Sequence, residues 1–111
     1  MEKERVSELI NDLEGEVNNG GFDQFFYNNA GDNAEEIIRA LETIGAHKAA
    51  DIVRRAAAKF PGGLPPKDRF VRQDVLLDVV SPNSDAFRDL DQEFFTYPDD
   101  LAGLLAKYVA S

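Results

Sequence analysis

The sequence predicts an all-α protein of about six helices, and three observations carry that expectation. Apolar residues recur at three- and four-residue spacing along most of the chain. Glycines and prolines mostly punctuate these runs instead of interrupting them. The strongest hairpin-like dipeptide, Asn19-Gly20, has helical and not alternating flanks, which argues against a turn between strands. At 111 residues the chain is read as a single domain, 1–111.

Each element has its own signal. In residues 3–17, Val6, Leu9, Ile10, Leu13 and Val17 follow the helical period. Gly20 and Gly21 can take φ > 0 and are expected to end that helix. Phe22, Phe25 and Phe26 then fall at i, i+3 and i+4, a short aromatic helix that reads as a core plug, closed by Asn29 and Gly31. Asp32 or Asn33 is placed to cap the next helix, with Glu35 completing a box-like pattern with Asp32. Ile37, Ile38, Leu41 and Ile44 are its buried stripe and Gly45 its end. Ala49, Ile52, Val53, Ala56, Ala57 and Phe60 mark a further helix. The run Pro61 to Pro66 is the clearest loop. Residues 67–80 read as helix, with Pro66 suited to a first turn, although Val75 to Val80 is β-branched enough for a strand. Asn83 or Ser84 can cap the helix carrying Phe87, Leu90 and Phe94, and Tyr97 to Asp100 opens the last one.

Composition narrows the function classes. The net charge of −9 disfavours direct nucleic-acid binding and favours basic proteins as partners. Without cysteine there is neither a disulfide framework nor thiolate chemistry. No signal-like run and no apolar stretch of membrane-spanning length is present, so a cytoplasmic location is expected. Charge is also segregated. Residues 1–47 hold eleven acids and three bases, residues 48–72 two acids and seven bases, and residues 73–111 eight acids and two bases. The basic segment is read first as a counterweight lying against acidic elements, and second as a docking patch for an acidic partner.

Catalytic signatures are nearly absent, and no enzyme activity, cofactor or metal site is expected. His47 is the sole histidine and no serine sits in a nucleophile elbow. No phosphate loop or dinucleotide fingerprint occurs. Asp89, Asp91 and Glu93 alternate like calcium ligands but lie on an expected helix without the loop glycine.

Two constellations remain. Glu4, Glu8, Asp12 and Glu16 are each four residues apart, and Asp85, Asp89 and Glu93 repeat the spacing. Like charges at this spacing cost a few tenths of a kcal/mol per pair, so the first row costs about 1 kcal/mol. A solvated face is one reading. The other is that regular carboxylates imitate a line of phosphates and engage Lys and Arg of a nucleic-acid-binding protein. Gln24, Asn28 and Asn29 are either turn formers or polar groups lining a small cleft beside the phenylalanines.

The run Asn19-Gly20-Gly21-Phe22-Asp23-Gln24-Phe25-Phe26-Tyr27-Asn28-Asn29-Ala30-Gly31-Asp32 resembles the signature of the bacterial DNA mimic protein 19 family, formerly a domain of unknown function. The resemblance continues in Ala40 to Ala46, Leu90 to Phe95 and Leu104 to Tyr108, and so covers nearly the whole chain. It implies an all-helical fold and, for the best-described type of member, an acidic dimer that occupies the DNA-binding surface of a transcription factor. No catalytic residues carry over. The basic segment 48–72 departs from a uniformly acidic surface. The expected function is therefore binding of a basic DNA-binding protein through Glu4, Glu8, Asp12, Glu16, Asp85, Asp89 and Glu93. Two alternatives stand beside it. One is a small-ligand or peptide-binding module using Asn19, Gly20, Gly21, Phe22, Gln24, Phe25, Asn29 and Gly31; the other is an immunity-type protein that neutralises a basic toxin.

Overall fold

A helix broken at its two glycines sets the architecture. The computed structural model describes residues 1–111, beginning with α1, Lys3–Tyr27. Gly21 has φ 71° and ψ −171°, a conformation open only to glycine, while Gly20 stays at φ −154°. Only one of the two glycines therefore uses the left-handed side. The break redirects the chain and turns Phe22, Phe25 and Phe26 wholly inward.

The Phe22 ring centroid lies 6.0–6.2 Å from those of Phe25, Phe26, Phe87 and Phe94. Phe26 meets Phe60 edge-on at 4.9 Å. Burying each such ring contributes about 1.5–3 kcal/mol, so the plug holds together elements far apart in sequence. It forms the centre of one apolar cluster of 25 buried residues.

The remaining helices are α2 (Ala34–Thr43), α3 (His47–Ala57), α4 (Arg69–Val75), α5 (Arg88–Phe95) and α6 (Leu101–Ala110). No strand is present, so residues 76–80 continue the helical path. They do so as one wide turn closed by Ser81 N–H to Leu76 O at 2.8 Å. None of the helices is long and apolar enough to cross a membrane.

The α2–α3 junction matches its sequence signal. Gly45 at φ 85° lets its own N–H reach Glu42 O and the Ala46 N–H reach Leu41 O, at 3.0 and 2.8 Å. Other caps differ from expectation. Asp32 does not cap α2 but pairs with Arg72, and Asn33 stands at the N-cap without a side-chain bond. α4 starts at Arg69 with Asp68 accepting from Val71 N–H at 3.0 Å, so Pro66 lies outside it. Neither Asn83 nor Ser84 caps α5, which begins only at Arg88 and leaves Asp85 in the preceding turn. Asp100 caps α6 through Gly103 N–H at 3.1 Å, whereas Asp99 reaches across to the Ala49 N–H of α3 at 2.8 Å.

Gly31 is not left-handed either. A Cβ there would meet Arg72 Nε at 2.8 Å and Phe25 O at 2.9 Å. It is glycine because a guanidinium passes beneath it. Arg72 is fully buried, and its five donors meet five acceptors. Nε bonds Phe26 O at 2.7 Å; Nη1 bonds Pro66 O and Lys67 O, both at 3.1 Å; Nη2 bonds Asn28 O and Asp32 Oδ1 at 2.9 and 2.8 Å. The freed carbonyls at the end of α1 are thereby satisfied by a residue of α4.

Candidate functional site

Four residues along an α-helix advance about 400°, so a row at this spacing drifts by about 40° per step. The α1 row accordingly spreads into different surroundings. Glu4 is exposed beside Ser7 and Val109, near the chain ends. Glu8 is held by Arg5 at 3.0 Å. Asp12 is exposed and lines a polar cleft. Glu16 lines the same cleft, where its Oε2 accepts from Gln24 Nε2 and Asn28 Nδ2 at 3.0 and 2.9 Å. Glu16 therefore braces the glycine break from outside, and only Glu4, Glu8 and Asp12 present a mainly exposed carboxylate.

The second row is divided further. Asp85 precedes α5, and Asp89 adjoins Arg55 and Lys59 of the basic segment. Glu93 is bonded by Arg55 Nη2 at 2.8 Å, and this contact is the main reason the guanidinium pKa is raised. Arg55 also holds Asp51 at 2.9 Å, and Arg54 reaches Glu42 at 3.3 Å. The first reading of the basic segment describes these contacts: several of its cations lie against carboxylates of neighbouring helices. His47 Nδ1 sits 2.7 Å from Glu42, and that hydrogen bond chiefly lowers the Glu42 pKa.

The signature residues divide into two sides. Phe22 and Phe25 belong to the core. On the opposite side Asn19 Nδ2 orients Gln24 at 3.1 Å, and Arg69 Nη1 donates to Asn29 Oδ1 at 2.8 Å. Asp12, Glu16, Asn28, Asn29 and Arg69 together line a cleft of about 400 Å³ that opens over Gly15. Gln24 does not line it; its amide positions Glu16.

Between α1 and α2, Arg5 bonds Glu36 through Nε at 2.8 Å and Nη2 at 3.1 Å, a fork that holds the Glu36 carboxyl below its ordinary pKa of 4.5. A carboxyl whose pKa falls on folding stabilises the fold above its unfolded pKa and loses that contribution as pH falls through the folded one. Glu36→Gln is thus expected to lower the melting temperature near neutral pH and to flatten the acid limb of its profile below pH 4.5, the gap to the parent closing as pH falls. A profile parallel to the parent at every pH would contradict this role.

Sequence reasoning missed two features. Arg72 looks like any charged residue in a helical stretch, and only the long-range carbonyls around it show its role. Phe70, Val71, Leu77 and Val79 form an exposed apolar margin on α4 and the wide turn, with Phe70 73% exposed. Their helical spacing had given no sign of which face would be covered.

The arrangement gathers no group of three His, Asp or Glu side chains able to hold a metal. What it offers is a set of rigidly mounted carboxylates and amides around a broken helix. The model of the DMP19-like protein family matches residues 2–111. The chain belongs to this family. No curated protein and no solved structure matches it. Within this DMP19-like protein, the break, the rings of Phe22, Phe25 and Phe26, and the Asn28 and Asn29 side of the cleft fall in the run Asn19 to Asp32 that carries the resemblance in sequence.

Proposed function

We propose that this DMP19-like protein acts by binding alone, engaging a basic DNA-binding protein, such as a transcription factor, in competition with DNA. The observation that carries the reading is the exposed carboxylates of Glu4, Glu8 and Asp12 along one straight stretch of α1. A rigid helix keeps such carboxylates in fixed register, and the partner's Lys and Arg side chains would meet them as they meet phosphates. Asp85 precedes α5 and Asp89 adjoins Arg55 and Lys59, so the reading rests on the α1 row, whereas Glu93 and Glu16 serve internal contacts. A homodimer would place two such faces on one particle.

Glu4→Gln, Glu8→Gln and Asp12→Asn combined are expected to weaken partner capture at least about tenfold, since each charge-assisted contact contributes roughly 1.5–3 kcal/mol where it is desolvated. Glu16 is left intact because its loss would disturb Gln24 and Asn28. The melting temperature is expected to stay within a few degrees of the parent. Capture that is unchanged, or that added duplex DNA fails to suppress, would overturn the proposal. A toxin-neutralising protein would use the same acidic face and differs only in the partner recovered.

A second reading is favoured by the cleft beside Asn29. It has room for a small polar ligand between two carboxylates, three amides and a guanidinium. Ligand-dependent stabilisation abolished by Asn29→Ala would move the assignment there.

A further inference from the structure

The exposed surface of α6 is unusual for so acidic a protein. Ala102, Leu105, Ala106 and Val109 recur at i, i+3, i+4 and i+7, so one apolar strip runs along the helix. Leu105 packs partly against the core, but Ala102, Ala106 and Val109 face solvent. Together with Ser7 and Glu14 of α1 they line a groove of about 540 Å³. Its floor is apolar and its small residues let another backbone come close.

Acidic side chains outnumber basic ones around this groove. Glu14 stands on its α1 wall, and Glu4 adjoins it where Ser7 and Val109 continue into a neighbouring hollow. Lys3 also borders that hollow, but its ammonium is committed to Val109 O at 3.3 Å and to Ser111 O. Lys107 follows directly after Ala106 and lies off the strip, because successive helical residues do not share a face. The strip itself carries no charged side chain.

We propose that the groove between α1 and α6 receives one amphipathic helix of a partner protein, apolar on one face and carrying Lys or Arg along its edges. The apolar face covers Ala102, Leu105, Ala106 and Val109, and the basic edge meets Glu14 and Glu4. Such a docking mode takes its affinity from apolar anchors at helical spacing and its orientation from rim charges. A second copy of this chain fits poorly. Two α6 strips laid together would gather Glu4 and Glu14 of both copies at one seam, where the basic side chain at hand is Lys3, already bonded to Val109 O and Ser111 O. The inference does not rest on phosphate mimicry, since it concerns an apolar floor and not a line of carboxylates.

The test uses two synthetic peptides of identical Leu/Lys composition, one with its leucines at helical spacing and one scrambled, titrated into the full chain. Backbone amide NMR shifts report the site. The amphipathic peptide is expected to bind at least about tenfold more tightly than the scrambled one, an anchor-sized difference of about 1.4 kcal/mol. Its shifts should centre on Ser7, Ala102, Ala106 and Val109. Ala106→Arg, at a solvent-facing position, should abolish that preference while leaving the melting temperature within a few degrees. Glu8→Gln with Asp12→Asn should leave the preference intact, which separates this proposal from failure of the acidic-face reading. Equal affinity for both peptides, shifts confined elsewhere, or the same shifts appearing on concentrating the protein alone would overturn it.

Discussion

Arg72→Met is expected to lower the unfolding free energy by about 3–5 kcal/mol, the range found when one partner of a buried charged contact is removed. Methionine matches the stem of the side chain but supplies none of its five donors. The acceptors cannot be removed with it, because four are main-chain carbonyls, of Phe26, Asn28, Pro66 and Lys67. Each one left buried and unbonded costs roughly 1–3 kcal/mol, reduced wherever water can enter. Asp32 contributes less, since its side chain is 43% exposed. Arg72→Lys should recover only part of the loss, because one ammonium cannot span acceptors on separate sides. Urea denaturation measures this directly, and a change below about 1 kcal/mol for Arg72→Met would refute the role assigned to the guanidinium.

Gly21→Ala carries the second large effect, roughly 2–5 kcal/mol. Part is backbone strain, about 1–3 kcal/mol for a side chain forced to φ 71° and ψ −171°. The rest comes from Asp91 of α5, whose carboxylate occupies the place a Cβ would take and accepts the Phe22 N–H at 2.8 Å. That bond caps the helix restarting after the break, and losing such a cap costs about 0.5–2 kcal/mol. Burial pushes the Asp91 carboxyl pKa up, partly opposed by the Phe22 hydrogen bond. A double-mutant cycle separates the two parts. In an Asp91→Ala background the alanine at position 21 meets no carboxylate, so its cost should fall to the backbone part alone. Strict additivity of the two substitutions would show that they do not interact.

These two positions also mark where sequence reading stopped. Local signals were legible. The stripe Val6 to Val17, the aromatic spacing of Phe22, Phe25 and Phe26, and the glycine stop at Gly45 each follow from periodicity or φ preference, and each appears in the fold. Caps were not, because three of the relevant aspartates act across the tertiary structure. Asp32 turns to Arg72, Asp91 caps the second half of α1, and Asp99 caps α3. A short carboxylate next to a helix start looks the same in sequence whether it serves its own helix or another.

The acidic rows were legible only as spacing. Which carboxylates would remain free depended on where Arg5, Arg55 and the amides of Gln24 and Asn28 came to rest. The apolar strip of α6 has no clear sequence signal, because Leu101, Leu104, Leu105 and Tyr108 pack toward the core and the adjoining alanines carry too little hydrophobicity to announce a second face.

The aromatic plug has a consequence for synthesis. Phe22, Phe25 and Phe26 leave the ribosome long before Phe60, Phe87 and Phe94, and the carboxylate that caps their segment arrives 69 residues later. At ~5–20 residues per second the nascent chain carries these rings without the capping carboxylate of α5 for roughly 3–14 s. Productive folding must then close long loops before these rings are rewarded, which slows it relative to a bundle of local hairpins. During that interval the carboxylates of the preceding helix, from Glu4 to Glu16, flank the exposed rings with negative charge. Charged residues that flank an apolar run in this way deter aggregation while the chain is still incomplete.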